Sequence, residues 1–106
     1  MLQAVPKPSH KRRVPKRGKR GQFPRVVREA IVDRDNGLCQ MCFGKGEEIH
    51  HIRFRSQGGR GVFTNGLLLC SGCHRKVHDD HELAEYWMDV FVDRYGENFY
   101  KDGWDL

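Results

Sequence analysis

Two Cys-x-x-Cys pairs, Cys39 with Cys42 and Cys70 with Cys73, constrain this 106-residue chain more than any other feature. They contain all four of its cysteines. Each pair turns two thiolates toward a common point, so the two together supply the four ligands of one tetrahedral zinc. The gap between Cys42 and Cys70 is longer than in a short zinc ribbon and must enclose secondary structure of its own. A chain of this length makes one domain with a modest core, which a structural metal can supplement. Paired thiols without an apolar export segment behind the basic N-terminus fit a reducing compartment, the cytoplasm. No apolar run is long enough to span a bilayer, so no membrane association is expected.

The net charge of +5 hides an asymmetry. Residues 1–23 carry eight Lys or Arg and no acid, including Lys11, Arg12, Arg13, Lys16 and Arg17. Residues 79–106 carry nine acids against two bases. A basic arm leading into a basic middle suits a polyanion, and nucleic acid is the expected partner. The arm also holds Pro6, Pro8 and Pro15 and few apolar residues. It cannot bury enough surface to offset its ordering entropy and reads as disordered through residue 23, with the folded domain over 24–106. Its role is either DNA tracking or solubility.

Pro24 and the recurrence of Val26, Val27, Ala30 and Ile31 predict a helix over about 24–35, stopped by Asn36-Gly37. Residues 47–54 read as a short strand and the glycine-rich stretch 55–61 as a loop. Val62 and Phe63 begin a returning strand, Thr64-Asn65-Gly66 turns the chain, and Leu67 to Leu69 are buried. A helix over 71–79 follows. A second, over 81–95, is capped by Asp79 or Asp80 and buries a stripe of Leu83, Trp87, Val90 and Phe91. Gly96 ends it, and Phe99, Tyr100 and Trp104 pack back on the core.

His74 and His78, four apart, share one helix face and with His50 form a second candidate metal site. Neutral imidazoles favour zinc, nickel or manganese over magnesium. Arg53, Arg55 and Arg60 are candidate phosphate contacts, although a solvated loop explains each equally well.

The run H-H-I-R-F-R-S-Q-G-G followed by N-G-L-L-L-C-S-G-C-H-R-K-V-H resembles the HNH endonucleases, in their zinc-bound four-cysteine subgroup. The resemblance covers residues 37–78. It implies an α+β fold, with a ββα-metal site on a treble-clef-like zinc module flanked here by an N-terminal and a C-terminal helix. It also implies metal-dependent hydrolysis of DNA phosphodiesters in a bacterial or phage-encoded protein; nickase activity and a larger DNA-processing partner are candidates that the sequence leaves open. His50, His74 and His78 match the ligands of the catalytic divalent metal (Zn2+, Mn2+, Ni2+ or Mg2+). His51 matches the general base, and Asn65 the residue that fixes that base's orientation. His81, one turn past His78, is read as a bystander. Adjacent strand residues point to opposite faces, so His50 and His51 can serve one cleft only at a bulge or strand end. The alternative function is a non-catalytic zinc-finger module that binds DNA, which would need neither His51 nor Asn65.

Overall fold

The computed structural model describes residues 17–105, with residues 17 and 18 described by their backbone only. The elements are α1 (Arg17–Arg20), α2 (Arg25–Arg34), β1 (Glu48–His51), β2 (Gly66–Leu69), α3 (Ser71–Asp79) and α4 (His81–Tyr95). Short 3-10 turns lie at Arg55–Gln57 and Phe63–Asn65. The strands pair antiparallel in the register Glu48 with Leu69, Ile49 with Leu68, His50 with Leu67, and His51 with Gly66. Knuckle, hairpin and helix follow one another as in a treble clef, and β1, β2 and α3 match the ββα-metal fold. Among the described residues no helix is long and apolar enough to cross a membrane.

All four residues of β2 are buried, so it reads as a continuous apolar run and not as an alternating one. Ile52, Leu67, Leu69, Val77, Ala84, Trp87, Phe91 and Phe99 form the core with Cys39 and Cys73. Each fully buried large apolar side chain there contributes about 1.5–3 kcal/mol before entropy is counted. Leu83 and Val90 of the expected α4 stripe are only half-buried, and Ala84 takes their place inside. Asp80 caps α4, its Oδ1 accepting from the Glu82 and Leu83 N–H groups.

α2 matches its predicted span but buries only Ile31, while Val26 stays 71% exposed. Its other anchor is polar. Asp35, buried at the helix end, accepts from Leu68 N and from both Nε and Nη2 of Arg34. Arg34 also donates to the carbonyls of Phe63 and Gly66, so it is a structural arginine. Asn36 and Gly37, with φ of 59° and 70°, turn the chain through the left-handed region into the knuckle.

The returning strand starts later than predicted. Phe63–Asn65 form a 3-10 turn that drives the Asn65 side chain into the interior. β1 likewise stops at His51: Ile52 N–H still donates to the Asn65 carbonyl, but Asn65 N–H turns back to the Val62 carbonyl and Arg53 N–H bonds the Asn65 side-chain Oδ1. Gly66 is required by close packing: a Cβ there would lie 2.4 Å from Ile31 Cδ1 and 3.0 Å from Ile49 Cγ2.

The arm boundary at residue 23 also moves back. Residues 17–23 are built onto the domain: Arg20 pairs with Asp102 and Asp105, and its carbonyl accepts from Gly61 N–H. Lys11, Arg12, Arg13 and Lys16 lie outside the described residues. In the C-terminal tail Phe99 is buried, but Trp104 is 44% exposed and packs back only in part.

Candidate metal centres and the cleft beside them

The hairpin and α3 bring two ligand sets together. Cys39, Cys42, Cys70 and Cys73 converge, and so do His50, His74 and His78, with ligand atoms in each set within 4.8 Å of one another. In the first set Cys42 Sγ lies 3.7 Å from Cys70 Sγ. Two thiolates on a tetrahedral zinc, with Zn–S of about 2.3 Å, sit roughly 3.8 Å apart, so the spacing fits a shared ion. Backbone N–H groups also converge on the sulfurs, Cys42 N–H on Cys39 Sγ and Cys73 N–H on Cys70 Sγ. Burial works to raise the Cys39 thiol, but backbone donors from Cys42, Cys70 and Met41 outweigh it and bring it down to about 6. Burial and the neighbouring cysteine side chains push Cys73 up to about 12. The four-cysteine set can therefore hold a metal.

The histidine set is shaped by three elements. His50 leaves β1 toward α3 and is completely buried, yet neither of its ring nitrogens has a hydrogen-bond partner. Orphaned buried nitrogens are costly unless something unseen by protein contacts satisfies them. Burial, followed by the nearby His74 and His78, lowers His50 to about 3, which keeps it in the neutral, ligand-competent form. His74 Nδ1 sits 2.6 Å from Glu48 Oε1. With Nδ1–H donating to that carboxylate, Nε2 carries the free lone pair, as a carboxylate behind a metal-bound imidazole arranges. His74 Nε2 and His78 Nε2 face each other at 3.1 Å. Imidazole nitrogens on one tetrahedral ion at about 2.0–2.1 Å would lie roughly 3.3 Å apart, so this set also fits a metal. Phe54 stacks on His78, their ring centroids 5.0 Å apart.

His51 leaves the other face of β1, toward the N-terminal segment. Its ring packs 4.3 Å from that of Phe23, and its Nε2 lies 2.5 Å from the Gly21 carbonyl. A carbonyl only accepts, so Nε2 carries the proton and Nδ1 the free lone pair. Burial lowers the His51 pKa; the Gly21 hydrogen bond opposes this, and Arg55 reinforces it. Since β1 ends at His51 on a sheet edge, the ring still borders a 520 Å³ cleft lined also by Arg55, Ser56, His74 and His78. His50, fully buried against the His74 and His78 rings, does not itself line this cleft.

Asn65 corrects a sequence expectation. Its side chain does not reach the imidazole. Oδ1 accepts from Arg53 N–H, and Nδ2 donates to the Arg53 and Arg60 carbonyls, which pins the loop after β1. The group that reaches His51 is the Gly21 carbonyl, which no motif announced. Glu48 was missed too, and only its place two residues before His50 on the strand hinted at it. Arg60 is committed to Asp105 at 3.0 Å from both Nε and Nη2, so it departs from its expected role at a phosphate. Arg53 lies over the Tyr100 ring at 4.7 Å. His81 pairs with Glu85 on exposed α4 and stays out of the histidine set.

Residues 39–80 match the family model of the HNH endonucleases. The chain is also 28% identical over 78 aligned residues to the type IV methyl-directed restriction enzyme EcoKMcrA of Escherichia coli (strain K12). That alignment covers 63% of this chain and 28% of the relative, so the chain spans little more than a quarter of that protein. Both ligand sets, the hairpin and α3 fall on the matched segment, so residues 39–80 are the part of the chain that is similar to the HNH endonucleases.

Proposed function

We propose that this chain is a metal-dependent endonuclease that hydrolyses DNA phosphodiester bonds, with His51 as general base and a structural zinc on the four cysteines. The observation that carries the reading is that His51 borders the same cleft as His74 and His78, with its proton held on the side away from Nδ1. A relative named as a restriction enzyme supports DNA as the substrate.

A divalent ion on His50, His74 and His78 would act as a Lewis acid on the scissile phosphate and stabilise the leaving oxygen. Glu48 holds His74 with Nε2 turned inward, and burial keeps His50 neutral. The Gly21 carbonyl holds the His51 ring, whose Nδ1 takes a proton from the attacking water. Arg55, which lines the cleft, contacts the phosphate in this reading. The all-nitrogen donor set favours Zn2+, Mn2+ or Ni2+ over Mg2+. Residues 1–16 supply the basic tracking arm.

Supercoiled plasmid incubated with purified protein and each of these ions tests the proposal. Wild type is expected to nick or linearise it, and His51→Ala to lose about 10²–10⁴-fold in rate while keeping both metals. Equal rates would reject His51 as the base. A wild type that cuts nothing with any ion would leave the zinc-finger reading in possession.

A further inference from the structure

His51 is held by a residue outside the HNH segment, and what holds that residue is an ion-pair clamp between the two ends of the described chain. Arg20 Nε and Nη2 donate to the two oxygens of Asp102 at 2.9 and 2.8 Å, and Nη2 also donates to Asp105 at 2.8 Å. Arg60 closes the clamp from the loop side through Asp105. Side-chain exposures of 12% for Arg20, 16% for Asp102 and 14% for Arg60 show that these are not freely solvated surface pairs. Such bidentate arginine–carboxylate geometry fixes orientation as well as distance.

The clamp is joined to the imidazole through backbone. The Arg20 carbonyl accepts from Gly61 N–H at 2.8 Å, and the next carbonyl, that of Gly21, meets His51 Nε2. Loop and segment touch so closely that a Cβ on Gly61 would lie 1.9 Å from the Gln22 carbonyl oxygen. On the far side of the loop, the Arg60 carbonyl accepts from Asn65 Nδ2. A continuous path therefore runs from Asn65 through residues 60–61 and 20–21 to His51.

We propose that Arg20, with Asp102 and Asp105, forms a positioning clamp that sets the tautomer and aim of His51. The proposal rests on His51 being the base. Arg20 touches neither substrate nor metal; it acts only by holding the Gly21 carbonyl in place. A misplacement of the base of about 1 Å costs on the order of 10²-fold in rate, so the clamp's effect should appear in kcat.

The test uses the full chain loaded with metal and compares Arg20→Gln, Arg20→Lys and, as a control for one lost positive charge, Arg25→Gln, since the Arg25 pair with Glu29 is exposed. Two readouts are taken: the nitrogen chemical shifts of the His51 ring, which report its tautomer with or without turnover, and kcat and KM on plasmid DNA. Arg20→Gln is expected to replace the single Nε2–H tautomer with a mixture and to lower kcat at least tenfold, with KM within about threefold and metal content unchanged. Arg20→Lys should recover part of both, and Arg25→Gln should alter neither. An unchanged His51 tautomer in Arg20→Gln would overturn the clamp, as would a fall in kcat no larger than that of Arg25→Gln. An inactive wild type whose tautomer still responds to Arg20→Gln would uphold the clamp and reject the nuclease reading. If Arg20→Gln fails to fold, the conservative Asp102→Asn, which keeps the shape but drops the charge, takes the same two measurements.

Discussion

Asn65→Ala removes a fully buried side chain that makes three hydrogen bonds to backbone. At about 1 kcal/mol net for each bond, the loss is about 3 kcal/mol. Arg53 N–H and the Arg53 and Arg60 carbonyls are then left without this partner, which pushes the cost up wherever water cannot reach them. A domain of this size has a total stability of roughly 5–13 kcal/mol, so 3 kcal/mol is a large share of it. At about 4–8 °C per kcal/mol, the melting temperature should drop by about 12–24 °C. The seven candidate cysteine and histidine ligands are untouched, so elemental analysis should find the metal content of wild type. Thermal melts followed by circular dichroism at neutral pH supply the measurement. Catalysis should fall by less than in His51→Ala, because the base is still present and only loosely aimed. A drop in melting temperature below about 4 °C would refute the reasoning, since it would mean the buried amide does not hold the loop.

His74→Ala should lose one metal equivalent and Cys39→Ser the other, the second with most of the tertiary structure, because zinc binding in so small a domain is largely folding energy; metal analysis after dialysis, with melts, decides both. Arg20 and Arg60 hold the Asp102 and Asp105 carboxyls below the usual carboxylate range. With the folded pKa depressed, the stabilisation is fully present above about pH 4 and is lost as pH falls through the folded values. The melting-temperature advantage of wild type over Asp105→Asn should therefore be full at pH 6 and shrink below about pH 4; an advantage independent of pH would contradict this. Deleting residues 1–16 should weaken duplex binding on all sequences alike and flatten the dependence of log K on log salt by about 0.9 for each phosphate that the arm no longer neutralises. Equal slopes would reduce the arm to a solubility tail. Cutting at residue 23 instead would remove Arg20 and Gly21 and confound the two effects.

The legible parts of this fold were those written in short-range pattern. α3 and α4 fall on their predicted spans because their helical periodicity, Asp80 cap and Gly96 stop lie within the segments themselves. The two candidate ligand sets were legible because Cys-x-x-Cys and His-x-x-x-His fix side-chain geometry over one turn, whatever the rest of the chain does. The start of β2 was not, because the preference of Val62 and Phe63 for a strand was overridden by the burial of Asn65 two residues on. α2 misled for a related reason: its apolar positions suggested a broad stripe, whereas Ile31 and the Arg34–Asp35 pair dock it, and the alternation of polar and apolar residues is silent about a buried ion pair.

The same contrast explains why His51 stands out in the sequence as a candidate while the groups around it do not. A histidine beside a ligand histidine can be matched to a motif. The carbonyl of Gly21 carries no side-chain signature, and its place depends on Arg20 meeting Asp102 across 82 positions of sequence. The acidic end of the chain, which shows in the sequence only as nine acids against two bases, supplies the two carboxylates of the clamp. Charge counted by segment assigns each side chain to solvent or to a partner, and it cannot see that the basic and acidic ends neutralise each other where they meet. Here that neutralisation takes Arg20 and Arg60 out of the set of residues available to phosphate. It also turns the end of the expected arm into part of the frame around His51.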